Sequence, residues 1–258
     1  MYPVFHSILA DKKGGEIFRL FTPWHFFYIF LALAAIAAVV LYARKKGADA
    51  GKRAAARFGD AAFALYVADF FLMPLAYGEI DVEKLPFHAC TAMCVMYFLS
   101  RRVGWLRPWR IHFALLGFVS NFVYLVYPAG VMWHAVAPLS YRVIQTLIFH
   151  ALMTVHCVLT IAYEGDGLPF RRAWRDLCVI VAMTLWALLG NTLYCGTADG
   201  YSHDFNWFFV TADPFGMIEA KTARIVMPFV NIALFFAVEM AVYLVYHAVR
   251  RIGAKKRG

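Results

Sequence analysis

The chain has 258 residues, of which 62% are hydrophobic and 16% charged, against roughly 45–50% and 25% in soluble domains, so it is not a water-soluble globule. Aromatic residues at 17% exclude a disordered chain. The net charge of +9 comes from short basic clusters between apolar stretches, which excludes a nucleic-acid groove binder and fits an integral membrane protein.

A bilayer-crossing helix needs roughly 20 mainly apolar residues, and on that ruler seven spans are predicted. The first, Trp24–Ala43, is followed by Arg44, Lys45 and Lys46. The second, Asp60–Tyr77, contains Asp69, and the third, Leu85–Ser100, is short and opens with Pro86. Trp109–Tyr127, Tyr141–Tyr163 and Ala173–Cys195 follow, and the seventh, Ala220–Val249, is long enough to tilt or run past the membrane. The expected architecture is all-α: a single domain over residues 1–258, forming one bundle of seven transmembrane helices. No internal repeat of the kind found in paired-half transporters is visible.

Orientation follows from the bases. If the loops after spans one, three and five share a side with the tail, that side holds 18 of the 25 Lys and Arg. The positive-inside rule then places the N-terminus outside and the C-terminus in the cytoplasm of a multi-pass cell-membrane protein. The N-terminus does not read as a cleaved signal peptide, because its first apolar run follows a mixed segment, is too long and ends in a stop-transfer cluster. The five cysteines (Cys90, Cys94, Cys157, Cys178, Cys195) lie in predicted helices and are odd in number, which argues against a disulfide framework.

Polar groups inside a span are costly and are functional candidates by default. At 1.5 Å per residue, Cys90 is expected roughly 7–8 Å inside the third span and His150 roughly 13 Å inside the fifth. Asn191 and Asn231 share this outer half, and His134, His203 and Asn206 belong to outer loops. A lone His or Asn in a bundle more often bonds a neighbouring helix, and a lone Cys more often packs. The pairing changes the balance: a thiol needs a base, and His has the matching basicity. His88 is expected on nearly the opposite side of the helix from Cys90, whereas Cys94 shares its face. Asp69 and Glu239 are intramembrane acids expected nearer the cytoplasmic half, suited to an ion or proton path or to a structural pairing. A metal or haem site drawn from His88, His150 and His156 has no recognised ligand spacing. Apart from Lys221 at the very start of the seventh span, no Lys lies in a span, which removes a retinal Schiff base in the bundle interior.

These residues also carry a resemblance. The run Leu85-Pro86-Phe87-His88-Ala89-Cys90 resembles the LPxHxC signature of YwaF-like bacterial membrane proteins, which are similar to the transmembrane protein 164 acyltransferases. Tyr127-Pro128-Ala129-Gly130 and Phe149-His150-Ala151-Leu152 resemble two further family segments, and Asn191 with Asn206-Trp207-Phe208-Phe209 resembles an N…NYMFL motif. The segment Gly196–Phe205 looks like an insertion between the two asparagines. More distantly, the family is similar to the androgen-induced intramembrane hydrolases. The resemblance implies an intramembrane site in which the residue at Cys90 carries an acyl group and His150 is its base.

The sequence reading is therefore a lipid acyltransferase or lipid-ester hydrolase. Cys90 is the nucleophile, His150 the base, and Asn191, Asn231 or Asn206 bind substrate or oxyanion. The substrate is a membrane phospholipid or lysolipid; no cofactor, metal or nucleic acid enters the scheme. The alternative class is a helical transporter, channel or sensor working through Asp69, Glu239 and the asparagines. A purely structural membrane protein is the third.

Overall fold

In lipid a backbone must close its own hydrogen bonds, and the apolar stretches do so as helices. The computed structural model describes residues 17–77, 82–128, 136–164, 168–194, 196–197, 202–203, 205–214 and 216–255. Among them seven α-helices form: α1 (Pro23–Lys46), α2 (Ala48–Tyr77), α3 (Ala89–Ser100), α4 (Arg110–Val126), α5 (Tyr141–Glu164), α6 (Ala173–Tyr194) and α7 (Ala220–Lys255). Short 3-10 turns precede α3, α4 and α6, and Gly196–Thr197 pairs antiparallel with Ser202–His203. Six helices are long and apolar enough to cross a membrane, and α3 is apolar but has only 12 residues. The protein is a multi-pass membrane protein.

Two helix starts differ from the sequence reading. Helix α2 begins at Ala48, not Asp60, with Gly47 (φ 88°) as the whole connection from α1. Ala, Lys and Arg are strong helix formers, so the basic stretch that stops a span does not stop a helix. Helix α3 begins at Ala89, not Leu85. Pro86 disfavours helical backbone at Leu85, and His88 is extended at the N-cap position (φ −83°, ψ 146°). Pro23, by contrast, opens α1, the position where its missing N–H costs nothing. Pro74 and Pro228 lie within helices that continue past them.

Helix α5 is the hub. It packs on α2 and α4 and also touches α1 and α3; 72% of its most apolar window is buried, against 17% for α1. Two hydrophobic clusters meet at α3. Met93 and Ala92 pack with Ile180, Met183 and Ala187 of α6, whereas Cys94 packs with Phe149, Met153 and Cys157 of α5. The short helix thus separates two compartments. The basic ends of α3 and α4 are tied by ion pairs, Arg101 to Asp60 at 2.5 Å and Arg110 to Glu164 at 2.8 Å.

Candidate active site

The residues ahead of α3 are not helical, so their backbone groups need other partners. Tyr66 of α2 donates to the Lys84 carbonyl at 2.8 Å, and the Trp186 indole of α6 donates to the Pro86 carbonyl at 2.7 Å. Phe87 is buried against Trp186 and Trp207, with ring centroids 5.0 and 4.9 Å away. Gly190 lets this wall close, since a Cβ there would lie 2.4 Å from the Phe87 ring. Held in this way, the segment delivers His88 and Cys90 to one cavity. Cys90 is the second residue of α3, not the sixth residue of a longer helix, and it is half-buried.

That cavity has a volume of about 170 Å³ and is lined by Cys90, His88 and His150 together. The expected opposition of His88 and Cys90 fails for a simple reason: His88 is extended, so helical angles do not apply to it. His150 is 4% exposed and its ring is fixed on two sides. Its Nδ1 lies 2.7 Å from the Thr146 carbonyl, and the Tyr124 ring stacks on it with centroids 3.9 Å apart. A carbonyl only accepts, so Nδ1 carries the proton and Nε2 keeps the lone pair. Nε2 is buried with no hydrogen-bond partner among the described residues. The arrangement is a neutral imidazole with its basic nitrogen kept free.

The cavity also takes in Asp69, which the sequence placed elsewhere, together with Lys84, Gln145 and Arg142, which the sequence reading missed. Asp69 accepts from Tyr141 at 2.7 Å and pairs with Lys84 at 3.1 Å; Lys84 in turn donates to Gln145 at 3.4 Å. Asp69 thus belongs to the Cys90 cavity through Lys84, not to a cytoplasmic half. Arg142, 9% exposed, lines the same space. The pattern was available: Arg142, Thr146 and His150 recur every four residues on one face of α5. The rest of the wall is mainly apolar, with Val123, Phe149, Phe208, Phe209 and Phe235, but it also includes Glu83, Thr91, Ser120 and Tyr127.

The asparagines do not line the cavity. Asn191 donates to the Trp207 carbonyl at 3.1 Å and accepts from its N–H at 3.0 Å. Asn231 donates to the Phe208 carbonyl. Asn206 accepts from the N–H groups of Thr211 and Ala212 at 3.0 and 3.1 Å and donates to the Ala212 carbonyl at 2.8 Å. All three therefore hold the 205–212 segment. Phe208 and Phe209 there have φ of 57° and 53°, a left-handed backbone costing about 1–3 kcal/mol per bulky residue. The expected oxyanion donors are instead the clamps of a strained turn that walls the cavity.

Glu239 lies elsewhere. It is fully buried, neither carboxylate oxygen has a hydrogen-bond partner among the described residues, and it is close enough to Asp176 for the two to interact electrostatically. Asp176 accepts from Tyr243 at 2.6 Å and pairs with His112 at 2.5 Å. His156, the deeper of the two α5 histidines, lies 2.9 Å from the Ala55 carbonyl. His134 and Cys195 lie outside the described residues.

No curated protein and no solved structure matches the chain. The profile of the TMEM164 family matches residues 20–249, from just before α1 to near the end of α7. The chain belongs to the TMEM164 family.

Proposed function

We propose that this TMEM164-family protein is an intramembrane acyl-transfer enzyme with Cys90 as nucleophile and His150 as general base and acid. One observation carries the reading: a thiol and an imidazole with an unpartnered Nε2 line the same cavity. Cys90 Sγ attacks the acyl carbonyl carbon of a phospholipid ester while His150 Nε2 takes the thiol proton. The ester C–O bond breaks, the proton passes to the leaving alkoxide, and a thioester remains. An acceptor hydroxyl, from a lysolipid or water, then gives its proton to Nε2 and attacks the thioester carbon. The C–S bond breaks and the thiolate regains its proton. The acceptor decides between transferase and hydrolase. The first-turn N–H groups of α3, which have no acceptor within the helix and flank Cys90, suit the oxyanion better than the asparagines. The scheme is in keeping with the sequence resemblance to YwaF-like proteins and, more distantly, to the androgen-induced hydrolases.

In the membrane, the reading takes α3 as the third of seven crossings. A 12-residue helix rises about 18 Å, short of a roughly 30 Å core. Non-helical backbone at depth is tolerated where it is buried in protein or lines a cavity; within residues 85–88, Phe87 is buried, His88 lines the Cys90 cavity and the Pro86 carbonyl is bonded to Trp186. The C-terminus is then cytoplasmic. Single cysteines at Gly47 and Gly253, probed with an impermeant maleimide in intact and opened cells, are both protected until the membrane is opened. Protection at only one of them breaks the seven-crossing parse.

The enzyme reading is tested by incubating purified protein with a phospholipid bearing an alkyne-tagged acyl chain. A hydroxylamine-labile adduct on the Cys90 peptide, absent in Cys90→Ser, is expected. An adduct undiminished by that substitution, or none at all, overturns the reading. The transporter, channel or sensor reading is less favoured because Asp69, Glu239 and the asparagines belong to three separate clusters.

A further inference from the structure

Across α3 from the Cys90 cavity lies a second one, larger at about 520 Å³. Its walls include Met96 of α3 and Cys178, Met183 and Trp186 of α6, and Trp105 and Trp109 close one end; no charged residue lines it. Cys90 and His150 are not among its lining residues, so it is not the acyl-transfer site. The α6 wall is a stripe at positions 178, 179, 182, 183 and 186, the period of one helix face. Arg175 continues that stripe one turn further, in the first turn of α6.

What fills the groove is decided by that end. A helix as short as α3 leaves a notch in the bundle wall that lipid, not water, must occupy. The notch ends in a cluster of half-exposed or exposed Trp105, Trp109 and Trp174, the residues of a headgroup boundary. The Arg175 guanidinium sits 5.7 Å from the Trp109 ring and 5.4 Å from the Trp174 ring. Its Nε is buried without a hydrogen-bond partner among the described residues. Arg107, exposed between Trp105 and Trp109, forms no ion pair among the described residues, and neither does Arg175. Unneutralised cations at the mouth of a wholly apolar groove match one chemistry, an alkyl chain ending in a negative headgroup.

We infer that this groove binds one acyl chain of an anionic phospholipid, with the headgroup phosphate on Arg175 and Arg107. The site is separate from acyl transfer and does not depend on that reading. Cys90 lies at the start of α3, whereas Trp105, Trp109 and the start of α6 lie at its other end, so the lipid comes from the leaflet at the end of α3 away from Cys90.

Cys178 lines the groove and is exposed, so it reports occupancy. The purified full-length protein in dodecylmaltoside is treated with N-cyclohexylmaleimide, and modification of the Cys178 peptide is timed by mass spectrometry. Dioleoylphosphatidylglycerol should slow the reaction saturably by roughly tenfold more than dioleoylphosphatidylcholine. The double variant Arg107→Gln/Arg175→Gln should lose that discrimination while Cys178 stays reactive without lipid. In native mass spectrometry one retained phosphatidylglycerol should disappear in Ala182→Phe, which fills the groove. It should remain in Leu185→Phe, on an exposed part of the same helix. Equal protection by both lipids, discrimination surviving the double arginine variant, or protection that never saturates overturns the proposal. If Ala182→Phe does not fold, the arginine variant alone decides.

Discussion

The Cys90 cavity and the Asp176 cluster use nearly the same side chains. Each buries a histidine with tyrosine and carboxylate groups among apolar helices, and in each one imidazole nitrogen has no partner among the described residues. They differ in what the histidine faces. His150 is fixed by a backbone carbonyl and a stacked ring, and shares a cavity with a thiol. His112 is bound directly to a carboxylate that also holds Tyr243, and none of His112, Asp176, Tyr243 or Glu239 lines either cavity. A buried polar group in a membrane protein thus signals chemistry only where the fold also leaves room for a reactant. Without room, the same groups fasten helices.

The contrast predicts opposite outcomes for equivalent substitutions. His150→Gln should reduce Cys90 acylation about 10²–10⁴-fold, the usual share of a positioned base, with little change in thermal unfolding. Cys90→Ala should abolish it. His112→Gln should leave acylation per folded molecule unchanged. Parallel losses of activity for the two histidines would erase the distinction.

Stability gives the converse and the next largest effect. Asp176→Asn or His112→Leu removes one partner of a buried pair, a loss of about 3–5 kcal/mol, read as a fall in the unfolding midpoint in detergent. Asp69→Asn should cost less, because its partner Lys84 is 19% exposed and regains solvent. If Asp69→Asn is the more damaging change, the ranking of the two clusters is wrong.

The sequence made the spans legible, because hydropathy and basic flanks act over whole helices. It also brought Cys90 and His150 together, because a thiol and an imidazole stand out among apolar neighbours. Neither cue reached the non-helical stretch before α3. Pro86 reads equally as a helix opener or as a helix excluder, and only packing by Tyr66, Trp186 and Trp207 selects the second. The same four residues decide where His88 points. The asparagines were misassigned for a related reason. An amide inside a span has to bond something, and sequence does not say whether that partner is a substrate or the backbone of a returning loop.

Asn191 therefore tests the second lesson. Asn191→Ala leaves the buried N–H and carbonyl of Trp207 without partners, at about 1–3 kcal/mol, and relaxes the left-handed Phe208–Phe209 turn. Midpoint and acylation should fall together, by a few-fold in rate. A loss of 10²–10³ in rate with an unchanged midpoint would restore the oxyanion role.

The smallest effect separates the wall from the chemistry. At Gly190 an added methyl meets the Phe87 ring at 2.4 Å. That ring has no free direction, since Trp186, Trp207 and Tyr194 enclose it. Gly190→Ala should therefore overpack the junction by about 1–3 kcal/mol and displace the segment that carries His88 and Cys90. The readout is the rate at which a small alkylating agent modifies Cys90. This rate depends on where the thiol sits but not on lipid binding. Trimming the ring in Gly190→Ala/Phe87→Leu should return both rate and midpoint towards wild type. Restored stability with a still-altered Cys90 rate would mean that Phe87 itself, not the space it occupies, sets the position of the thiol. A Gly190→Ala protein unchanged in both measurements would show that α6 does not hold this segment. The cavity would then owe its shape to α2 and the 205–212 turn alone.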